Sequence, residues 1–351
     1  MKRWMLYLLV LALGLNWGAG AAAMTITLSA AGDVVLGGDP EVKSALGRSS
    51  EETFAALIAQ YGPGYPFENV RSYFAADDVT IVNLECAMTN RDQARNKSHV
   101  LRAKPQYAAI LTGAGVEVCN LANNHSRDFG DKGLKNTRTN LTRAGIRWCD
   151  GSNNGTYTVK KDGQSVKIGF TGFQTPTSLS KMRARIKALS RKCDLVVASF
   201  HWCDTKEWTQ RIYPSDRRMA RAAIAAGADL VLGHHRHVPA GVEMYKGRYI
   251  AYDLGNFVVG IKHLLDSSGR PLTDSMIFQW TVTLDDQKRI THQSIRVIPC
   301  TTSTTAATYP ATDAMGTQGA PVNNFRPAVL TGQRAQEVLS RIQALSTVNL
   351  G

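Results

Sequence analysis

Apolar positions along this chain gather into short blocks of β-branched and small residues that stop abruptly at polar side chains able to bind a metal. Residues 26–31 run into Gly32-Asp33, and 79–82 into Asn83-Leu84-Glu85. Residues 116–122 run into Asn123-Asn124-His125, 195–200 into His201, and 230–232 into Gly233-His234-His235-Arg236-His237. The pattern predicts strands that deliver their terminal side chains into one shared crevice. Between the blocks, spacing and caps predict helices over 51–61, opened by Ser49 or Ser50, over 105–113, over 130–144 with Gly145 as its stop, over 215–226 stopped by Gly227, and over 333–344. Further strands are expected over 157–159 and 166–172, a strand and turn over 249–259, and 276–284 with 294–299 alternate as an antiparallel pair would. Loops are expected over 61–66, over 89–98, which could close over a ligand, and over the Thr-, Ala-, Pro- and Gly-rich stretch 301–324. No repeat or Pro-rich linker interrupts the series. It therefore reads as one domain over 24–300, followed by a loop and helix over 301–351 that pack on it.

Composition places this domain in a class and a compartment. A hydrophobic content of 44% in 351 residues argues for a packed globular fold. Residues 1–23 read as an export signal: Lys2 and Arg3 carry positive charge, 4–17 are almost wholly apolar, and 19–23 are small. The apolar stretch is shorter than the ~20 residues a membrane span needs, so an uncleaved anchor is the lesser alternative to cleavage and release into the periplasm, envelope or medium. A net charge of +13 points to acidic partners, outside the cytoplasm anionic wall or capsule polymers, phospholipid surfaces or phosphate esters rather than nucleic acid. The competing reading is solubility charge on helix faces, and the densest basic stretch, from Lys181 to Lys192, reads as a solvated helix face. The six cysteines permit disulfides without choosing among pairings, and the lack of a CxxC pair argues against a zinc knuckle. Cys86 and Cys203 follow Glu85 and His201 closely enough to touch the site, or to pack beside it as small residues.

Two divalent ions held about 3.5 to 4 Å apart need roughly six to eight protein ligands, one of them a bridging carboxylate. Asp33, Glu85, Asn124, His201, His235 and His237 meet that demand in number and type. Imidazole suits zinc or iron, and the mixed set also suits manganese. Singly, each of these residues would read as a turn, a surface carboxylate or a core histidine. Their joint occurrence at strand ends makes the case for a two-metal site.

The motifs Gly32-Asp33-Val34-Val35-Leu36-Gly37, Asn83-Leu84-Glu85, Ala122-Asn123-Asn124-His125 with Asp128 and Gly130, Gly227 to His237, and Leu254-Gly255-Asn256-Phe257 resemble the successive signatures of the poly-gamma-glutamate capsule-synthesis CapA family. That family belongs to the metallophosphatase-like superfamily. The resemblance covers roughly residues 25–298 and implies an α/β (mixed α+β) fold, a metallophosphatase-like sandwich of two mixed β-sheets flanked by helices. It implies that Asp33 and His237 bind one metal, that Glu85 bridges, and that Asn124, His201 and His235 bind the other. His125 would be the general acid and Asp128 its orienter, with His234 packing or supporting a ligand. The implied substrate is an anionic polymer or a phosphate-containing compound, and membrane-bound capsule synthase components are further expected partners. Two departures stand out. Cys203 occupies a position where the family has Gly, in a loop whose expected acidic position holds Thr205, with Asp204 and Glu207 as the nearby carboxylates. Arg236 replaces the usual Pro, and is expected either to clamp an anionic substrate or to point to solvent. The leading reading is a metal-dependent hydrolase of the cell surface. The alternatives are a non-enzymatic assembly or export factor and a phosphoesterase acting on nucleotides or lipids.

Overall fold

Each apolar block is a strand in the computed structural model, which describes residues 23–40, 49–260, 272–304 and 324–350. The predicted export signal lies outside the described residues except for its last position, as does most of the loop expected over 301–324. Strands, numbered along the chain, form two large mixed sheets. The eight-stranded sheet contains β1 (Met24–Val34), β3 (Val79–Leu84), β6 (Val118–Asn120), β7 (Arg147–Cys149), β14 (Asn256–Val258), β15 (Asp274–Leu284), β16 (Ile290–Thr301) and β17 (Ala328–Val329). Its order is β17-β16-β15-β1-β3-β6-β7, with β14 beside the end of β1. The six-stranded sheet runs β12 (Val242–Tyr245), β13 (Arg248–Ala251), β11 (Leu230–His234), β10 (Leu195–His201), β9 (Gln164–Gln174), β8 (Gly155–Lys161). A small third sheet joins β2 (Gly37–Gly38), β5 (Arg102–Ala103) and β4 (Ala87–Met88).

The fully apolar runs are explained by layering. Ile26, Leu28 and Ala30 of β1 face Ile168, Phe170, Leu195 and Val197 in a core between the two large sheets. Ala31, Val34 and Val82 instead face helices α1 (Ser50–Tyr61), α3 (Ala108–Ala114) and α4 (Gly130–Arg143) through Phe54, Ile110 and Leu134. On the far side, Val196, Ala198 and Phe200 of β10 pack under α5 (Leu179–Ser190) and α6 (Pro214–Ala225). A strand buried on both faces cannot alternate apolar with polar, so its signal is a continuous run. The molecule is thus a sandwich of two mixed sheets flanked by helices, the architecture the resemblance implied. The last long helix, α7 (Gly332–Ala344), inserts Val338 and Ile342 into the intersheet core, and its Arg334 and Arg341 both pair with the buried Asp274. One short helix, α2 (Arg71–Ala75), precedes β3.

Several local expectations are met. Ser49 is the cap of α1 in a reciprocal capping box, accepting from the Glu52 amide at 3.1 Å while Glu52 accepts from the Ser49 amide at 2.6 Å. Gly145 and Gly227 follow α4 and α6 with φ of 80° and 108°. Others need correcting. The strand and turn expected over 249–259 hold a second strand as well: β13 lies in one sheet and β14 in the other, with the chain crossing between sheets at 252–255. The crossing turns on Gly255, at φ 76°, where an added Cβ would lie 2.8 Å from Pro239 Cδ. Arg185, expected on a solvated face, is half-buried: its guanidinium donates to the carbonyls of Asp150, Gly151, Asn153 and Gly172, which fastens α5 to the loop before β8. All six cysteines are unpaired.

Candidate metal centre

The parallel strands β1, β3, β6 of one sheet and β10, β11 of the other end on the same side, so their C-terminal residues meet where the sheets abut. Asp33 leaves β1 at a register shift after Ala31. The preceding Gly32 allows the bend, because a Cβ there would sit 1.8 Å from the Gly255 carbonyl oxygen. Gly233 is equally constrained, with the Tyr252 carbonyl oxygen 1.9 Å from a would-be Cβ. Beyond it the chain turns through positive φ at His235 (99°) and His237 (62°), uncommon for residues with a side chain and characteristic of functional sites. Asp253 holds this turn, accepting from the Arg236 amide at 2.9 Å and from the Gly255 amide at 2.9 Å.

The donors fall into two adjoining groups. Asp33, Glu85 and His237 place ligand atoms within 4.8 Å of one another, and so do His201, Cys203 and His235. Asp33 Oδ2 lies 3.1 Å from His237 Nδ1. His201 Nε2 is 3.3 Å from His235 Nδ1, 2.8 Å from Asn124 Oδ1 and 3.2 Å from Glu85 Oε1. Glu85 therefore touches both groups, where a bridging carboxylate would stand. The donor set fits cations. Glu85 Oε1 is buried and has no hydrogen-bond donor, and two imidazole nitrogens and an amide oxygen crowd one point with too few protons to satisfy them. Asp33, Glu85 and His201 are almost wholly buried, whereas His237 and His125, with 15% and 12% of their side chains exposed, reach solvent, and Asn124 and Cys203 are partly exposed.

Charge in the cluster is divided unequally. Burial opposes ionisation of Asp33, but hydrogen bonds from His234 and His237 hold its carboxyl well below the usual range. Burial, then the Asp33 charge, push Glu85 well above it. Burial disfavours the imidazolium of His237, yet its bond to Asp33 and the charges of Glu85 and Asp33 raise it to about 10. Burial lowers His201 well below the ordinary imidazole value and also lowers His235, helped there by the His237 charge. Neutral imidazoles are the metal-binding form.

The remaining expected residues sort clearly. His125 Nδ1 lies 2.7 Å from Asp128 Oδ2, which fixes the ring and leaves Nε2 as its free nitrogen. Asp128, fully buried, also accepts from the Leu101 amide at 2.7 Å and from Lys97 Nζ at 2.8 Å. Lys97 belongs to the loop expected to close over a ligand, and its further bond to the Asn124 carbonyl at 3.1 Å ties that loop to the site. His234 Nδ1 approaches Asp33 Oδ1 at 3.4 Å. Arg236 requires correction. It is fully buried, pairs with Asp216 and lies over the Tyr213 ring, so it neither clamps a substrate nor points to solvent. Its place between His235 and His237 turns it to the opposite side of the chain. In the loop after β10, Asp204 is engaged by the Thr175 hydroxyl, and exposed Glu207 is the carboxylate whose charge is felt by Glu85, His235 and His237.

Sequence reasoning missed a buried amide network. Asn83 Nδ2 donates to Asp33 Oδ1 at 2.8 Å, while Asn83 Oδ1 accepts from Asn120 at 2.8 Å and Asn123 at 3.2 Å. Asn256 Oδ1 lies 3.0 Å from His237 Nδ1. These groups orient the ligands, as partners behind metal-binding side chains generally do. The signal was present: Asn83 and Asn120 are amides inside otherwise apolar strands. Trp208 was missed too, and its ring lies 4.9 Å from that of His237.

Comparison with known proteins places these residues in context. The profile described as "Bacterial capsule synthesis protein PGA_cap" matches residues 27–260. The chain is 30% identical over 260 residues to the capsule biosynthesis protein CapA of Bacillus anthracis, covering 66% of this chain and 59% of the relative. It is 30% identical over 225 residues to the PGA biosynthesis protein CapA of Bacillus subtilis, covering 58% of each. The chain thus spans about three fifths of the length of these curated relatives. Among solved structures it is similar to the NAD nucleotidase of Haemophilus influenzae, at a TM-score of 0.40 and 11% identity, covering 93% of this chain and 64% of that one.

Proposed function

The chain belongs to the bacterial capsule synthesis protein PGA_cap family, and on that premise we propose that it is an exported, metal-dependent hydrolase that makes or processes an anionic cell-surface polymer such as poly-gamma-glutamate. The observation that carries this reading is the position of Glu85, which belongs to the Asp33–His237 donor group and whose unpartnered Oε1 lies 3.2 Å from His201 Nε2 of the other, in a site that also holds the His125–Asp128 pair. Asp33 and His237 would hold one ion, His201, His235 and Asn124 the other, and Glu85 both. Bound there, two divalent ions would supply Lewis-acid polarisation of a phosphoryl or carbonyl group. The chain's own contribution is positional and acid–base. His125, held through Nδ1 by Asp128, presents Nε2 as the proton donor to a leaving group, and burial, which lowers its basicity, makes that proton easier to give. Lys97 Nζ pairs with Asp128 behind it at 2.8 Å.

The deep burial of the donors supports a second reading, a non-enzymatic assembly factor whose ions are structural. One experiment separates the two. Protein loaded with manganese, zinc or iron is offered poly-gamma-glutamate, nucleotides and phospholipids, and chain length and released phosphate are followed. Polymer shortening that needs His125 supports the proposal. Phosphate release alone moves the assignment to a phosphoesterase, and no turnover with two ions bound selects the assembly factor.

A further inference from the structure

We infer that Cys203 is a thiolate ligand of the second metal position, making it a sulfur-containing site selective for zinc or iron over manganese; this rests on the reading that the centre holds metal. The argument begins with strand geometry. β10 ends at His201; Phe200 and Trp202 stack in the helix-side core, while His201 and Cys203, in the turn that follows, bring their ligand atoms together away from it. Trp202 is fully buried in the helix-side core, stacked on Phe200 with ring centroids 4.8 Å apart, and its indole Nε1 donates to the Tyr252 carbonyl at 2.8 Å. A side chain so anchored sets the direction of both its neighbours.

The turn that carries Cys203 is fastened on all sides. The Cys203 amide donates to the His201 carbonyl at 2.9 Å, the Trp202 amide to the His234 carbonyl at 3.2 Å, and the Thr205 amide to the Trp202 carbonyl at 3.1 Å. Asp204 is engaged by the Thr175 hydroxyl. The result is a sulfur that lies within 4.8 Å of the ligand nitrogens of His201 and His235. A second observation points the same way: the donorless Glu85 Oε1, in a residue 1% exposed, lies 3.2 Å from His201 Nε2 and faces the same point.

Two imidazoles and a thiolate, with the Glu85 carboxylate 3.2 Å from one of those imidazoles, would make a donor set of the kind zinc and iron favour, whereas manganese favours oxygen. Binding replaces the S–H bond of Cys203 with a sulfur–metal bond and releases the proton to solvent, so no other reactant is required. Asn124 Oδ1 remains as an additional neutral donor on the same side of His201.

The test is cobalt(II) titration of the mature protein after chelator treatment, with Cys203→Ser and Cys86→Ser alongside. The expected result is a near-ultraviolet sulfur-to-cobalt charge-transfer band in the wild type and in Cys86→Ser, absent in Cys203→Ser, which keeps its visible ligand-field bands. In zinc–manganese competition, Cys203→Ser should lose roughly tenfold or more of its zinc preference. Ligand-field bands without a charge-transfer band in the wild type overturn the proposal and leave the metal centre standing. No bound cobalt overturns the metal centre itself. Zinc-edge absorption of the wild type alone gives an independent answer, expected to show a sulfur scatterer at about 2.3 Å, and only nitrogen and oxygen neighbours would refute it.

Discussion

Asp33 and His237 each belong to the donor group that Asn83 and Asn256 brace from behind, so removing either side chain should empty that position without unfolding the protein. Asp33→Ala and His237→Ala are expected to lose bound metal in elemental analysis with an unchanged circular dichroism spectrum. His125→Ala touches no donor and should keep its metal while turnover falls by roughly 10²- to 10⁴-fold, the usual share of a positioned acid. Arg236 and Asp216 behave differently, because both are buried and each is the other's charge partner. Asp216→Ala strands a guanidinium in the core and should cost about 3–5 kcal/mol, read as a lowered denaturant midpoint. At this scale the sequence picked out side chains that the fold brings together, because a polar residue ending an apolar run has few other reasons to be there. Arg236 was misread by proximity in sequence: its neighbours are ligands, yet it faces away from them. The amides inside apolar strands were visible in the sequence, but that Asn83 joins Asp33, Asn120 and Asn123 shows only once they are seen around it.

The strands of the eight-stranded sheet carry a second polar cluster at the ends opposite the metal centre. Glu117, before β6, accepts from the Thr80 amide of β3 at 2.7 Å, and Asp77 accepts from the Thr80 hydroxyl at 2.6 Å. These contacts latch the register of neighbouring strands. Burial raises Glu117 to about 7, and Asp77 to about 6. A carboxyl that is less acidic folded than unfolded binds more protons in the native state, so stability falls as pH rises from about 4.5 to 7. Glu117→Gln keeps an acceptor for Thr80 and removes this titration. It is expected to flatten the decline of melting temperature over that window, with the part-exposed position limiting the gain to roughly 1 kcal/mol at pH 7. Among the elements, long doubly buried strands were easy to read, and so were capped helices. The passage from β13 to β14 was not, since an apolar run does not reveal that its two halves hydrogen-bond to different sheets. The two-residue strands around Gly37, Ala87 and Arg102 have too few positions to show any period.

Across the whole molecule, the N-terminal and C-terminal portions build one sheet and residues 155–251 build the other. Asp33 and Glu85 come from one sheet and His237 from the other, so an ion held by that group would bind the assembled sandwich and not its halves. Adding metal at about 100 times its dissociation constant should raise stability by roughly 2.7 kcal/mol, a melting shift of several degrees that a chelator reverses. A melting temperature indifferent to chelator would contradict the assignment of donors to both sheets. We expect N-terminal sequencing of protein recovered from the cell envelope to begin near residues 22–25, and an intact Met1 would refute cleavage.

Asp33 and His237 stand 204 positions apart, and holding two such distant points together in an unfolded chain costs about 4–5 kcal/mol in loop-closure entropy alone. A nascent chain therefore has no grip on an ion until its last imidazole has emerged and found its place. An ion held there would be that of whichever compartment folding is completed in, and would record where the chain matured.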